Sequence, residues 1–228
     1  MLRFSLLGLL AAAFLTTALQ CAGSSPSGTA APTDDHAPTR PAASARPLAN
    51  ADTAVFAMGC FWCAETAFEG ADGIGDVISG FTGGTLPNPT YEQVGRGGTG
   101  HYEAIQVPFD TTQIDYATLL RIFWHNVDPF DAGGQFCDRG DVYRAAIFPR
   151  TAAQRQLAEA SKATVEGRFD EPLATEILPA APFYRAEEYH QDFYRKDPER
   201  YHSYRLGCRR DARLRDVWGD DALRAGDA

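Results

Sequence analysis

The chain has 228 residues, a formal net charge of −9 and five cysteines. A balance this acidic excludes general nucleic-acid binding, and the part that can fold is of ordinary single-domain size. The charge is uneven, since residues 195–215 hold eight Lys or Arg against three acids, a solvated face or a docking surface for an acidic partner.

Residues 1–21 read as an export signal. Arg3 precedes a nearly unbroken apolar run over 4–19, too short and too close to the start for a comfortable membrane span. Cys21 is a candidate for lipid attachment after processing, although Ala18-Leu19-Gln20 fits such a site poorly. Residues 22–52 change character: Pro26, Pro32, Pro38, Pro41 and Pro47 are scattered among small and polar residues. Such a stretch buries too little apolar surface to offset its ordering entropy and is expected to be a disordered linker. Export places the protein in the periplasm or cell envelope, with the N-terminus available as a membrane tether. A single domain is expected over residues 53–220.

Within it, residues 53–58 form an apolar strand and 61–69 a helix. A strand-like stretch at 74–82 runs into a breaker-rich loop at 83–89. Polar and apolar residues alternate over 102–107, and Pro108 and Asp110 are expected to close that strand. Tyr116, Leu119, Leu120 and Phe123 share one face at helical spacing. A glycine-rich loop at 128–141 precedes a strand at 142–148. Thr151 and Gln154 have the capping-box pattern and open a helix to about residue 168. Residues 173–178 are strand-like and 186–194 helical, and Pro198, Gly207 and Gly219 interrupt an irregular tail. Strands separated by two well-signalled helices predict an α+β layer fold rather than a doubly wound sheet.

The chemistry concentrates at Gly59-Cys60-Phe61-Trp62-Cys63. Cys60, between a strand end and a helix start, meets free N–H groups and the positive end of the helix dipole, which favour thiolate over thiol. Phe61 and Trp62 give that sulfur an apolar wall. Cys60 and Cys63 also have zinc-ligand spacing, which His101 or Cys137 could complete. The sequence holds no second Cys-x-x-Cys and no paired histidines at helical spacing, so no metal is expected. A thioredoxin-like disulfide reductase is a rival reading of the same turn; the bulky aromatics between the cysteines favour a site that holds an apolar group against the first sulfur. Three polar loops stand out: Asn88-Pro89-Thr90-Tyr91, Gly100-His101-Tyr102-Glu103, and residues 138–144. Tyr91 and Tyr143 read equally as core residues, and Asp138 as a turn cap. Glu103 enters an apolar strand, where burial would raise its pKa and make it a general acid near neutral pH.

Taken in order, Gly59-Cys60-Phe61-Trp62, Gly83-Gly84, Asn88-Pro89-Thr90-Tyr91, Thr99-Gly100-His101-x-Glu103, Tyr143-Arg144 and Ala186-Glu187-Glu188-Tyr189-His190-Gln191 resemble the peptide methionine sulfoxide reductases of the A type. The resemblance covers residues 53–191 and implies an α+β fold around a mixed sheet, related to the ferredoxin-like folds. It implies Cys60 as nucleophile, Phe61 and Trp62 as the pocket for the substrate methyl group, and Glu103 as the acid, assisted by Tyr91 and Tyr143. Asp138 matches the acidic residue ahead of the second tyrosine. The implied activity reduces methionine-S-sulfoxide in oxidised proteins through a sulfenic acid and then a disulfide, with an external thioredoxin-like dithiol as reductant and no bound cofactor. Cys208, Cys63 and Cys137, in that order, are candidates to resolve the sulfenic acid. A single chain is expected to suffice. Phe81 and Ala145 depart from the commoner tyrosine and serine, and a noncatalytic binder of methionine-rich segments is the competing class.

Overall fold

The structure is a computed structural model that describes residues 48–222. The expected export signal and most of the expected linker lie outside the described residues. In chain order the elements are β1 (Ala51–Met58), α1 (Phe61–Phe68), β2 (Ile78–Thr82), α2 (Tyr91–Gly95), β3 (Tyr102–Asp110), α3 (Tyr116–Trp124), β4 (Gly134–Gln135), β5 (Asp138–Arg139), β6 (Ala145–Ile147), α4 (Ala152–Glu166), β7 (Glu176–Ile177), β8 (Tyr184–Arg185), α5 (Phe193–Lys196), α6 (Pro198–Gly207) and α7 (Arg210–Trp218).

Six strands form a mixed sheet in the order β7-β6-β1-β3-β2-β8. The pair β6 and β7 is parallel and its other neighbours are antiparallel. The α+β class expected from the sequence is observed. Central strand β1 is buried without interruption from Ala54 to Met58 because both sheet faces are covered. Phe56 and Met58 face α1, α3 and the end of α7, while Val55 and Ala57 pack with Tyr102, Ala104 and Phe148 on the other face. Phe56 anchors the helical side, with Phe68 and Phe123 ring centroids at 5.5 and 5.2 Å. Truncating such a ring to Ala costs about 3–5 kcal/mol. Odd-numbered residues of β3 point the same way, so Glu103 lies under α1 with Ile105, Val107 and Phe109 beyond it.

Several elements differ from expectation, each for a local reason. Strand β3 runs through Pro108 to Asp110. The Pro108 carbonyl accepts Gly75 N–H at 2.8 Å on the edge away from β1, so the missing proline N–H removes no bond from the β1 ladder. Residues 74–77 fall outside β2, leaving Ile74 as a single bridge to Phe109. Residues 141–143 form one 3₁₀ turn ahead of the short β6. Thr151 caps α4, but the expected reciprocal bond is absent. Gln154 accepts from Arg150 N–H and donates to the Thr53 carbonyl, tying α4 to β1. The complete capping box is instead Thr90–Gln93, at the start of α2.

The helix expected at 186–194 is broken into a 3₁₀ turn and the four-residue α5. Side chains from distant elements capture its backbone. Gln191 accepts from Ser79 N–H and donates to the Ser79 and Ala186 carbonyls, and Glu65 accepts Asp192 N–H. Pro198 does not interrupt the tail but opens α6, with Asp197 capping Arg200 N–H, the position where proline costs a helix nothing.

Candidate active site

The site is assembled around the first turn of α1. Gly59, at φ +78°, turns the chain from β1 into the helix; a Cβ there would lie 2.5 Å from the Gln135 Cβ. Cys60 is the N-cap residue, and its carbonyl accepts Cys63 and Ala64 N–H, both at 3.1 Å. Phe61 N–H, the first donor of the helix, goes to Glu103 Oε2 at 3.0 Å. The acid at 103 and the sulfur at 60 therefore flank the same helix N-terminus.

Glu103 is buried, and its pKa is pushed up to about 8. Burial is the main cause, the Phe61 N–H opposes it, and the negative charges of Asp138 and Cys63 add to the rise. At neutral pH the group is a carboxylic acid. The Cys60 thiol moves against the thiolate expected from the helix start. Burial raises its thiol well above the ordinary value, and the hydrogen bond and charge of Cys63 raise it further. Cys63 moves the other way, down to about 6. Its hydrogen bond with Cys60 is the largest cause, burial opposes it, and Arg210, Arg205 and the Tyr201 hydroxyl support the anion. The two thiols are thus pushed in opposite directions, Cys60 up and Cys63 down. One donor of the helix start, Phe61 N–H, goes to Glu103 rather than to the Cys60 sulfur.

Aromatic rings surround these groups. Trp62 stacks on Phe193 with centroids 3.7 Å apart, and its indole N–H donates to His190 Nδ1 at 3.1 Å. The His190 ring lies 4.9 Å from Phe61 and 4.2 Å from Tyr91. Burial lowers its pKa to about 4, so it is neutral. Half-buried Tyr91 and Tyr143 are hydrogen-bonded to each other, and both phenols are raised, by burial first and by the Glu103 charge second. Asp138 accepts the Tyr204 hydroxyl, which is also hydrogen-bonded to Cys60. Cys60, Glu103, Tyr91, Tyr143, Asp138, Phe61 and Trp62 are therefore gathered in one place.

The remaining cysteines are paired. Exposed Cys137 and half-buried Cys208 form a disulfide that ties the 128–141 loop to the end of α6, while Cys60 and Cys63 are free and buried. His101, weighed as a metal ligand, instead bonds Gly84 N–H and the Leu86 carbonyl. Two groups have enough ligand atoms for a cation: Cys137, Asp138 and Cys208, and Glu65, Glu69 and Asp192. In the first both sulfurs are in the disulfide. In the second the carboxylates accept from Asp192 N–H, Ser79, Tyr194 and Arg195.

Sequence reasoning gave no role to Tyr201, Tyr204, Arg205 and Arg210, nor to His190, which it held only as part of the last matched motif. The tail carried a readable signal: Asp197-Pro198 is a helix start, and Tyr201, Tyr204 and Arg205 follow at one-turn spacing. The basic run of 195–215 is mostly a solvated face, with Arg205 and Arg210 its two buried members. Arg195 pairs with Glu69, Arg205 with Asp211 and Arg213 with Asp128, and Arg210 is buried.

A buried cysteine pair beside a protonated carboxylic acid, under an aromatic wall, defines a thiol-dependent reductase that protonates what it reduces. A family model described as peptide methionine sulfoxide reductase matches residues 52–222, and the chain belongs to that family, in its A type. Peptide methionine sulfoxide reductase MsrA of Bacillus licheniformis is 51% identical over 170 residues, covering 74% of this chain and 94% of the relative. MsrA 2 of Caulobacter vibrioides is 52% identical over 169 residues, covering 74% and 86%. Among solved structures, methionine sulfoxide reductase A of Corynebacterium diphtheriae matches with a TM-score of 0.60 at 31% identity, covering 66% of this chain and 77% of that one.

Proposed function

We propose that this chain reduces methionine-S-sulfoxide in exported proteins, with Cys60 as nucleophile, Glu103 as acid and Cys63 as the resolving cysteine. The observation that carries the reading is the neutral Glu103 carboxyl bonded to Phe61 N–H, one residue from the Cys60 sulfur. A sulfoxide oxygen leaves poorly until it is protonated, and a buried acid with a pKa near the working pH supplies that proton. Phe61 and Trp62 receive the methyl group, and the Tyr91 and Tyr143 hydroxyls bond the oxygen as charge shifts onto it.

The proton count closes on these groups. Glu103 protonates the sulfoxide oxygen while Cys60 attacks the sulfur and gives its proton to the Cys63 thiolate. Methionine departs and Cys60 carries the sulfenic acid. Cys63 then attacks the sulfenic sulfur, its proton leaves with the oxygen as water, and the Cys60–Cys63 disulfide forms. Glu103 takes a proton back from solvent, and an external thioredoxin-like dithiol reduces the disulfide. Cys208 ranked first from the sequence; its engagement with Cys137 and the hydrogen bond between the free Cys60 and Cys63 thiols favour Cys63. The apolar leader and proline-rich stretch support a periplasmic or envelope location, with the N-terminus as tether.

The test is reduction of a peptide-bound S-sulfoxide and its R epimer with dithiothreitol, wild type against Cys60→Ser. Turnover of the S epimer alone, abolished in the variant, is expected. Equal turnover of both epimers, or activity retained without Cys60, would overturn the assignment.

A further inference from the structure

Three residues of the tail hold Trp62. Phe193 stacks on one face of the indole, with ring centroids 3.7 Å apart and planes 10° from parallel. His190 Nδ1 accepts the indole N–H at 3.1 Å. Tyr204, from α6, meets the ring edge-on at 5.9 Å. His190 and Phe193 lie three residues apart, in a segment whose backbone is fixed by other elements. Gln191 bonds the Ser79 N–H and carbonyl, and Glu65 accepts Asp192 N–H.

The bond to Trp62 also sets the state of His190. A ring nitrogen that accepts carries no proton, so the hydrogen of the neutral ring sits on Nε2. His190 is 2% exposed, and that Nε2 has no hydrogen-bond partner among the described residues. A buried N–H without an acceptor disfavours folding. The fold tolerates it, and the side-chain hydrogen bond this ring does make goes to Trp62. With Phe193 on one face, the indole offers its other face to the substrate.

We propose that His190 and Phe193 are positioning residues that determine specificity: by fixing Trp62 they set the width of the slot for the methyl group on the sulfoxide sulfur. The inference rests on the reading of Trp62 as a wall of that slot and adds what holds the wall. A slot of fixed width takes a methyl group and rejects a longer alkyl chain, whereas a wall free to turn yields to either. One extra methylene against a rigid apolar pocket changes kcat/KM by about 10–200-fold. A wall already in place also leaves no ring to be ordered when substrate binds. Releasing it therefore acts on KM more than on kcat.

The experiment uses the full chain with dithiothreitol and two peptides, one carrying methionine-S-sulfoxide and the other ethionine-S-sulfoxide. The wild type should prefer the methyl substrate by about tenfold or more in kcat/KM. His190→Leu keeps an apolar body and removes the acceptor. It should bring the preference toward unity, chiefly by raising KM for the methyl peptide. It should also speed hydrogen exchange of the Trp62 indole N–H, a resonance assigned by its loss in Trp62→Phe. His190→Asn, whose Oδ1 can take the place of Nδ1, should restore both. Phe193→Leu should lower the preference as well, and Phe193→Tyr, which keeps the stacked ring, should not; this pair carries the test if His190→Leu does not fold. Folded His190→Leu and Phe193→Leu variants with the wild-type preference would overturn the inference while leaving Trp62 in the slot. A Trp62→Ala variant with the wild-type preference would instead remove Trp62 from the slot, and the inference with it.

Discussion

Replacing Glu103 with Gln keeps the side-chain shape and an oxygen to accept Phe61 N–H, and removes the transferable proton. With a pKa of about 8, roughly nine in ten wild-type molecules hold the acid at pH 7. A positioned general acid contributes about 10²–10⁴-fold, so Glu103→Gln is expected to slow methionine formation in a single turnover by that factor, roughly 3–5 kcal/mol. The rate should also change its pH dependence. The wild type needs the pair ionised and Glu103 protonated, so its profile rises near pH 6 and falls near pH 8, and the variant should lose the alkaline limb. Stability supplies an independent reading. The folded pKa of Glu103 is raised above its unfolded value of about 4.3, so its stabilising contribution is complete below that value and is lost as pH rises toward 8. At about 1.36 kcal/mol per unit this is on the order of 4–5 kcal/mol. Wild-type stability should therefore fall between pH 4.5 and 8 more steeply than that of the variant. Glu65, also raised to about 8 by burial, is common to both proteins and leaves the comparison intact. A variant with the wild-type single-turnover rate and an unchanged alkaline limb would refute the role of Glu103.

Three further outcomes are expected. Tyr91→Phe and Tyr143→Phe should each lower kcat/KM by about 10²-fold, with the double variant less impaired than the product because the two hydroxyls bond each other; strict multiplicativity would argue that they act separately. Cys208→Ser opens a disulfide spanning 71 positions, which chain entropy values at about 4 kcal/mol. Denaturant unfolding should show the loss, and dithiothreitol-supported turnover should persist; failure to form any disulfide after sulfoxide would instead make Cys208 the resolver. Gly59→Ala forces a side chain into positive φ and against Gln135, and thermal unfolding should register a loss of about 1–3 kcal/mol.

What the sequence made legible was local. The Cys60 turn follows from an apolar strand running into a helix, the burial of Glu103 from its place in an alternating strand, and α3 from four apolar residues on one face. Where it misled, a distant residue decided the outcome. Nothing within 186–194 announces that Ser79 and Glu65 will take its backbone donors and acceptors. Arg205 and Arg210, whose charges favour a lowered Cys63 thiol, lie on α6 and α7 and reach the site only after the tail folds back. Helix-dipole reasoning at Cys60 was sound about the donor and wrong about its recipient, because the competing Glu103 arrives from β3.

That competition explains why the site can hold a nucleophile and an acid together. A Cys60 thiolate beside an ionised Glu103 would place two like charges in a buried space, where their repulsion is poorly screened. A Cys60 thiolate beside a neutral Glu103 would invite the proton to cross between them before substrate arrived. Pushing the Cys60 thiol and the Glu103 carboxyl up, and the Cys63 thiol down, works against both outcomes. Substrate entry then displaces no tightly solvated ion. The nucleophile is generated only as Cys60 passes its proton to a base one helical turn away. The reactivity of Cys60 therefore depends on Cys63 as much as on the helix start, and Cys63→Ser should slow the first chemical step as well as abolish disulfide formation. A Cys63→Ser variant that releases methionine at the wild-type rate in a single turnover would show that Cys60 ionises without it, and the dependence of Cys60 on its neighbour would fail.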